Sequence, residues 1–166
     1  PAESSTEAVK LTAFVPELNT FNWSGAAWNP ETRSLWLACN SGHFWELVED
    51  GTGGFRVAND GTGTEAKWYP EGDPLPDFES ICQADYNQRI VYLMDEDGYI
   101  REYDVSQYGV AVQNHSWDIR TECPETGGSG PEGITFIPDI WLQRQGFRAA
   151  DGSLYTSTNG MGGLMF

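Results

Sequence analysis

An all-β fold assembled from one repeated antiparallel unit is the class this sequence predicts. Composition points there first: the 166 residues include 19 Gly and 9 Pro beside 7 Trp, 7 Tyr and 8 Phe. That mixture suits short strands joined by tight turns, and so much aromatic surface demands burial rather than disorder. Periodicity agrees, since no window of about 11 residues or more carries an apolar stripe at i, i+3, i+4, i+7, and Gly or Pro interrupts nearly every candidate helix. The third observation is that the chain repeats itself.

Three copies align when the segment beginning Ser24-Gly25-Ala26 is written above Glu79-Ser80-Ile81 and above Glu132-Gly133-Ile134. A flexible leader is expected over residues 1–8, then an outer strand over 11–15. The first copy spans about 21–59. Its first strand opens at the small residue Gly25, a turn passes through Asn29-Pro30, and a second strand covers 35–39. This strand ends at the polar Asn40, Ser41-Gly42 makes a hairpin turn, and a third strand runs over 43–47 with a fourth over 55–58,. The second copy spans about 78–119, with Ser80 opening the first strand, 90–94 as the second, Asp95 at its end and Asp97-Gly98 as the turn. Strands over 99–105 and 110–119 complete it. The third copy spans about 131–166, with Gly133 as opener, a second strand over 154–158 ending at Asn159, and 164–166 entering a third strand. Asn40, Asp95 and Asn159 are thereby read as equivalent. Residues 59–77, 120–130 and an insertion over 140–152 are expected to be loops.

Gly25, Ser80 and Gly133 are 55 and 53 residues apart. A period of that length holding three or four short strands is the size of a β-propeller blade. About three four-stranded blades over 9–166 are therefore expected, half of a six-bladed ring. Propellers close with about 4–8 blades, and an open stack leaves a bare blade face and unpaired strand edges. Two completions are expected. Either the chain is the incomplete half of a longer polypeptide, or two copies pair about a twofold axis, each lending its N-terminal strand to its partner's last blade. Head-to-tail addition without closure gives a filament.

Charge narrows the partners. Nine Lys and Arg stand against 25 Asp and Glu, leaving a formal net charge of −16. A field of that sign repels phosphate backbones and anionic lipid, so nucleic acid is excluded as a partner. No apolar run approaches the roughly 18 residues of a membrane span. The small, polar, acidic start after Pro1 leads to the expectation of a secreted, extracellular or periplasmic protein,. Cys39, Cys82 and Cys123 allow at most one internal disulfide and are too dispersed for a zinc site, and Asn22 and Asn114 head N-x-S sequons,.

The phrases SGAAWNPETRSLWLACNSGHFWEL, DFESICQADYNQRIVYLMDEDGYIREYDV and GPEGITFIPD resemble the SdiA-regulated family and the related esterase-like phytase group. The recurring phrase is an acidic, a small and an aliphatic residue, present as Glu79-Ser80-Ile81 and Glu132-Gly133-Ile134. The first copy departs from it with Ser24 in the acidic place. The resemblance covers about residues 11–166. It implies a secreted or periplasmic six-bladed propeller, of which this is half, and a phosphate-ester hydrolase as one activity.

In a propeller the first strand of each blade lines the central channel, which places Glu79 and Glu132 there. Carboxylates from adjacent blades repel one another unless a cation or proton intervenes, and Ca²⁺ accepts six to eight oxygens. The candidate metal ligands are Glu79, Glu132 and Asp95. Asn40 and Asn159, at strand ends, are candidate ligand-binding residues, together with Trp23 on a binding face. Trp68 and Trp141 are read as lying in or beside loops on that face, whereas Trp36 and Trp45 are expected to pack between blades. The structural alternative is that each Glu accepts backbone N–H groups at a blade junction.

Catalytic motifs fail. Gly127-Gly128-Ser129-Gly130-Pro131 has Pro where a nucleophile elbow needs Gly, and an EF-hand register on Gly98 puts Leu93 at the first ligand position,. Lys67, flanked by Ala66 and Trp68, ends no phosphate loop, and His43 and His115 are too few for a three-His metal site,. The sequence therefore reads as an acidic binding and assembly module whose ring is completed by the same or a sister polypeptide, in a homo-oligomer or filament. Half of a phytase-like phosphoesterase and a fibre subunit are the alternatives. Nine basic residues supply little to offset a phosphate ester's charge,.

Overall fold

The computed structural model describes residues 9–72, 74–124 and 130–166. The expected leader and the Gly127-Gly128-Ser129 stretch lie outside the described residues. The chain is all-β, with three antiparallel sheets that follow one another in sequence. Sheet 1 is the meander β1 (Trp23–Asn29), β2 (Ser34–Cys39), β3 (His43–Glu49) and β4 (Phe55–Val57), with β5 (Lys67–Trp68) pairing the other end of β3. Sheet 2 is the meander β6 (Phe78–Cys82), β7 (Ile90–Asp95), β8 (Tyr99–Gln107) and β9 (Val110–Asp118). Sheet 3 pairs β10 (Phe136–Pro138) with β11 (Gly163–Met165), and the short helix α1 (Asp139–Arg144) lies between them in sequence.

The first three strands of sheets 1 and 2 repeat one another strand by strand. Each first strand carries a register shift at the same place, between Trp23 and Gly25 and between Phe78 and Ser80. The second strands are buried on both faces except at their edges, which is why Leu35-Trp36-Leu37-Ala38-Cys39 and Ile90-Val91-Tyr92-Leu93-Met94 read as continuous apolar runs. Each second hairpin closes with a three-residue loop whose last member is a left-handed glycine, Gly42 at φ +77° and Gly98 at φ +86°. That loop needs a residue without Cβ at its third place.

The sheets stack face to face in chain order. Between sheets 1 and 2 lie Trp36, Ala38, Phe44 and Trp68 against Phe78, Ile81, Val91, Leu93, Tyr103 and Val105. The inner strands β1 and β6 cross so closely that a Cβ on Gly25 would stand 2.6 Å from the Ser80 Cα. Sheet 2's other face, with Cys82, Tyr92 and Met94, packs on Ile134, Phe136 and Met165. The outer face of sheet 1 is capped by Leu11, Val15, Leu18 and Phe21, which cover Leu37, Trp45, Leu47 and Val57.

Polar groups tie sheets 1 and 2 together as well. The buried Asn29 donates to Gln83 Oε1 at 2.8 Å and accepts from the Glu31 and Thr32 amides, which fixes the β1–β2 turn. Arg89 donates to Glu46 at 3.1 Å, and its guanidinium lies 5.2 Å from the Trp36 ring and 5.8 Å from that of Trp68. Glu46 is 2 % exposed, so the pair is effectively an interior one at its acidic end.

Several expectations are corrected. Residues 11–15 form no strand: Leu11–Ala13 and Pro16–Thr20 are single 3-10 turns, a conformation favoured by Pro16 at the first helical position,. The exchange of that segment as a partner's outer strand loses its basis. In the third copy, 154–158 forms no strand either, only the isolated bridge of Leu154 with Arg148. The partner of β10 is instead Gly163–Met165, so 164–166 take the second-strand place rather than the third. The insertion over 140–152 contains most of α1. Trp68 belongs to β5 and is fully buried.

Candidate functional site

A three-residue acidic cluster stands at one end of sheet 2. Asp77 immediately precedes β6, Glu79 is the second residue of that strand, and Glu96 opens the β7–β8 turn. The Glu96 amide donates to the Asp77 carbonyl at 2.9 Å, which draws the turn against the strand start. One carboxylate oxygen from each of the three lies within 4.8 Å of the others. Gly130 closes over the cluster's side, since a Cβ there would meet the Glu96 carbonyl at 1.9 Å.

The electrostatics follow from that crowding. Partial burial, then the negative charges of Glu79 and Glu96, push the Asp77 carboxyl up to about 6. Asp77 Oδ1 is buried and accepts no hydrogen bond. Two oxygens on opposite sides of a Ca²⁺ ion stand about 4.8 Å apart at the usual bond length of about 2.4 Å. The donor set is all oxygen, which suits a hard cation such as Ca²⁺.

Sheet 1 carries the neutral counterpart. By register Asn22, Ser24 and Asn40 correspond to Asp77, Glu79 and Glu96, and the Asn40 amide donates to the Asn22 carbonyl at 3.2 Å in the same manner. The residue corresponding to Asp95 is therefore Cys39, so the expected equivalence of Asn40 with Asp95 is off by one place. The β6–β7 hairpin is one residue longer than the β1–β2 hairpin, since Ile81 pairs with Leu93 where Ala26 pairs with Leu37, and that extra residue is the reason.

Of the expected metal ligands only Glu79 is in the cluster. Asp95 is fully buried, and its Oδ2 accepts from Arg101 Nε at 2.8 Å and Nη2 at 2.5 Å. This carboxylate is held in an internal ion pair, and its Oδ1 accepts from the Asp97 amide at 3.1 Å. Glu132 is exposed and lines a largely apolar cavity of about 450 Å³ with Met94, Ile100, Ile119 and Ile134, between sheets 2 and 3.

The expected ligand-binding residues disperse. Asn40 sits half-buried in its turn. Asn159 donates to the Gly163 carbonyl at 2.9 Å and accepts from the Met161 amide, shaping the entry to β11. Trp23 donates its indole N–H to the Leu18 carbonyl at 2.7 Å and packs edge-on against Phe21 and Trp45. Its ring is thus part of the sheet 1 cap. Trp36 packs between sheets 1 and 2 as expected, whereas Trp45 is buried on the outer face of sheet 1 under the N-terminal cap, and Trp141 is 51 % exposed. His43 packs between Phe21 and Tyr69, while His115 lies on exposed β9 against Trp117.

A smaller cavity of about 210 Å³ is shared by Ala26, Ala27 and Trp28 of β1, by Ile81, Cys82 and Gln83 of β6 and its turn, and by Ile134, Thr135 and Phe136. The first strands of all three sheets therefore border one space. Among the described residues, no helix is long and apolar enough to cross a membrane. No protein-family model matches this chain, and no curated protein matches it.

Proposed function

We propose that the chain is a three-blade sector of a six-bladed β-propeller, of the SdiA-regulated and phytase-like kind it resembles, that acts outside the cytoplasm as an acidic binding and assembly module. Further polypeptide, from a same or sister chain or from the rest of a longer one, completes the ring. Asp77, Glu79 and Glu96 hold Ca²⁺ at the end of the second blade, beside the inner strands.

The observation that carries this reading is the stacking of successive sheets with their first strands inward around one shared cavity. Supporting it, sheet 3 has two strands among the described residues where its neighbours have four or five. It leaves Ile140, Trp141, Phe147, Leu154 and Phe166 between 39 % and 56 % exposed, an apolar surface of the kind that further blades cover,. The orphaned, buried oxygen of Asp77 supports the cation.

Light scattering on the purified chain tests the assembly. A mass of at least two chains, or a stable complex with the polypeptide carrying the remaining blades, is expected. A compact monomer of 18.4 kDa with no such partner contradicts it. Calcium at about 1 mM should raise the melting temperature of the parent and leave Glu79→Gln unmoved. No response in the parent removes the cation from the proposal.

A further inference from the structure

A second surface lies away from the acidic cluster and from sheet 3, along the outer edge of sheet 2. Strand β9 is the last strand of its sheet and pairs only with β8 among the described residues. Its nine residues, Val-Ala-Val-Gln-Asn-His-Ser-Trp-Asp, contain no Lys, Arg, Glu or Pro. Natural edges are normally blunted by such residues, by bulges or by cover, and here the pairing with β8 shifts register between Glu102 and Tyr103 and between Asp104 and Gln107. Val110, Val112 and Trp117 are 43 %, 55 % and 41 % exposed. The start of this edge forms one wall of a groove of about 360 Å³, lined by residues 109–113, whose other wall is Tyr69 and Glu71. Tyr69 is 48 % exposed.

The hairpin fixes which backbone groups face the groove. Gln107 and Val110 flank the two-residue Tyr108-Gly109 loop, so they bond to each other, and the alternation of antiparallel pairing turns the Ala111 N–H and C=O outward,. Those groups and the exposed valines are the elements that an added strand uses. Charge selects the occupant. Glu71 stands on the wall, and the chain carries −16 overall. Two cations on or beside strand β8 are engaged, Arg101 by Asp95 and Arg89 by Glu46.

We infer that the β9 edge and the Tyr69–Glu71 wall bind an extended, basic segment of another protein by strand addition, with Lys or Arg alternating with small β-branched residues. Neither the propeller nor the cation proposal is needed for this.

The probe is a capped Lys-Val-Lys-Val-Lys-Val-Lys peptide titrated into the whole chain, followed by amide NMR and light scattering. Shifts at residues 109–113 are expected, with slowed exchange of the Ala111 amide. Glu71→Lys should weaken binding about tenfold, as loss and reversal of a wall charge does. Ala111→Pro, which removes the outward N–H, should abolish it. A peptide with N-methylated valines keeps the charge but cannot pair, and its failure to bind is expected even if Ala111→Pro does not fold. Equal binding by the methylated peptide overturns the inference. So do shifts confined to Asp77, Glu79 and Glu96, or a doubled mass with the edge amides perturbed in the absence of peptide.

Discussion

Replacing Gly25 by Ala should force sheets 1 and 2 apart. Gly25 lies where β1 crosses β6, and an added Cβ would stand 2.6 Å from Ser80 Cα and 3.1 Å from both the Glu79 carbonyl oxygen and the Ile81 amide nitrogen. All three are backbone atoms, so no side chain can swing aside. Overpacking of this kind costs about 1–3 kcal/mol. Against it runs a gain of about 0.4–1 kcal/mol, because alanine restricts the unfolded chain and the Gly25 backbone is not in the left-handed region,. The net loss is about 0–2.6 kcal/mol, and at roughly 2–4 °C per kcal/mol for a chain of this size the melting temperature falls by up to about 10 °C. Gly133→Ala is the control, since nothing lies within 4 Å of the Cβ it would add. Thermal melts by circular dichroism should be paired with tryptophan fluorescence, because Trp36 and Trp68 line the same interface. If Gly25→Ala melts with or above Gly133→Ala, the close crossing of the inner strands is refuted.

Two further perturbations address the charged groups. Asp77 has its folded-state pKa raised to about 6 from 3.8, so its proton contributes stability that is complete below pH 3.8 and is lost as the pH rises through 6. Two units correspond to about 3 kcal/mol at 1.36 kcal/mol each, which solvent screening of a partly exposed group reduces to about 1 kcal/mol. Asp77→Asn should therefore melt higher than the parent at pH 8 and close to it at pH 4; parallel melting curves at both pH values would show that the repulsion is absent. Arg89→Met should cost about 3–5 kcal/mol by stranding Glu46 without its cation, and adding Glu46→Gln should recover part of that. Parent-like melting of Arg89→Met would remove the pair from the interface.

The legible parts of the fold were those whose local chemistry already states the outcome. Second strands buried on both faces spell unbroken apolar runs, and the turns at Gly42 and Gly98 need a left-handed residue, so both sheets could be outlined from spacing alone. Small residues at Gly25 and Ser80 marked a real contact between backbones. Sheet 3 misled because Leu-Tyr-Thr-Ser-Thr at 154–158 alternates like a strand, yet Leu154 is 49 % exposed and finds only a single bridge. Two 3-10 turns at residues 11–20 are shorter than any periodic signal. In the acidic cluster Glu79 was legible from the repeat. Asp77 and Glu96 were missed because matching polar residues by type aligned Asn40 with Asp95, whereas the extra residue in the β6–β7 hairpin aligns it with Glu96. The available signal was the pair of residues three and one before Ser80, taken with the first residue of the next hairpin turn.

Strand β7 occupies the middle of the stack: Val91 and Leu93 point into the interface with sheet 1, Tyr92 and Met94 into that with sheet 3. Its pairings with β6 and β8 are near neighbours in sequence, while both of its faces depend on distant partners. Loss of either outer layer bares only one side of this ribbon. Disassembly should thus proceed from the two flanks toward the centre, with β7 the last ladder to open and a sequential rather than a simultaneous loss of order.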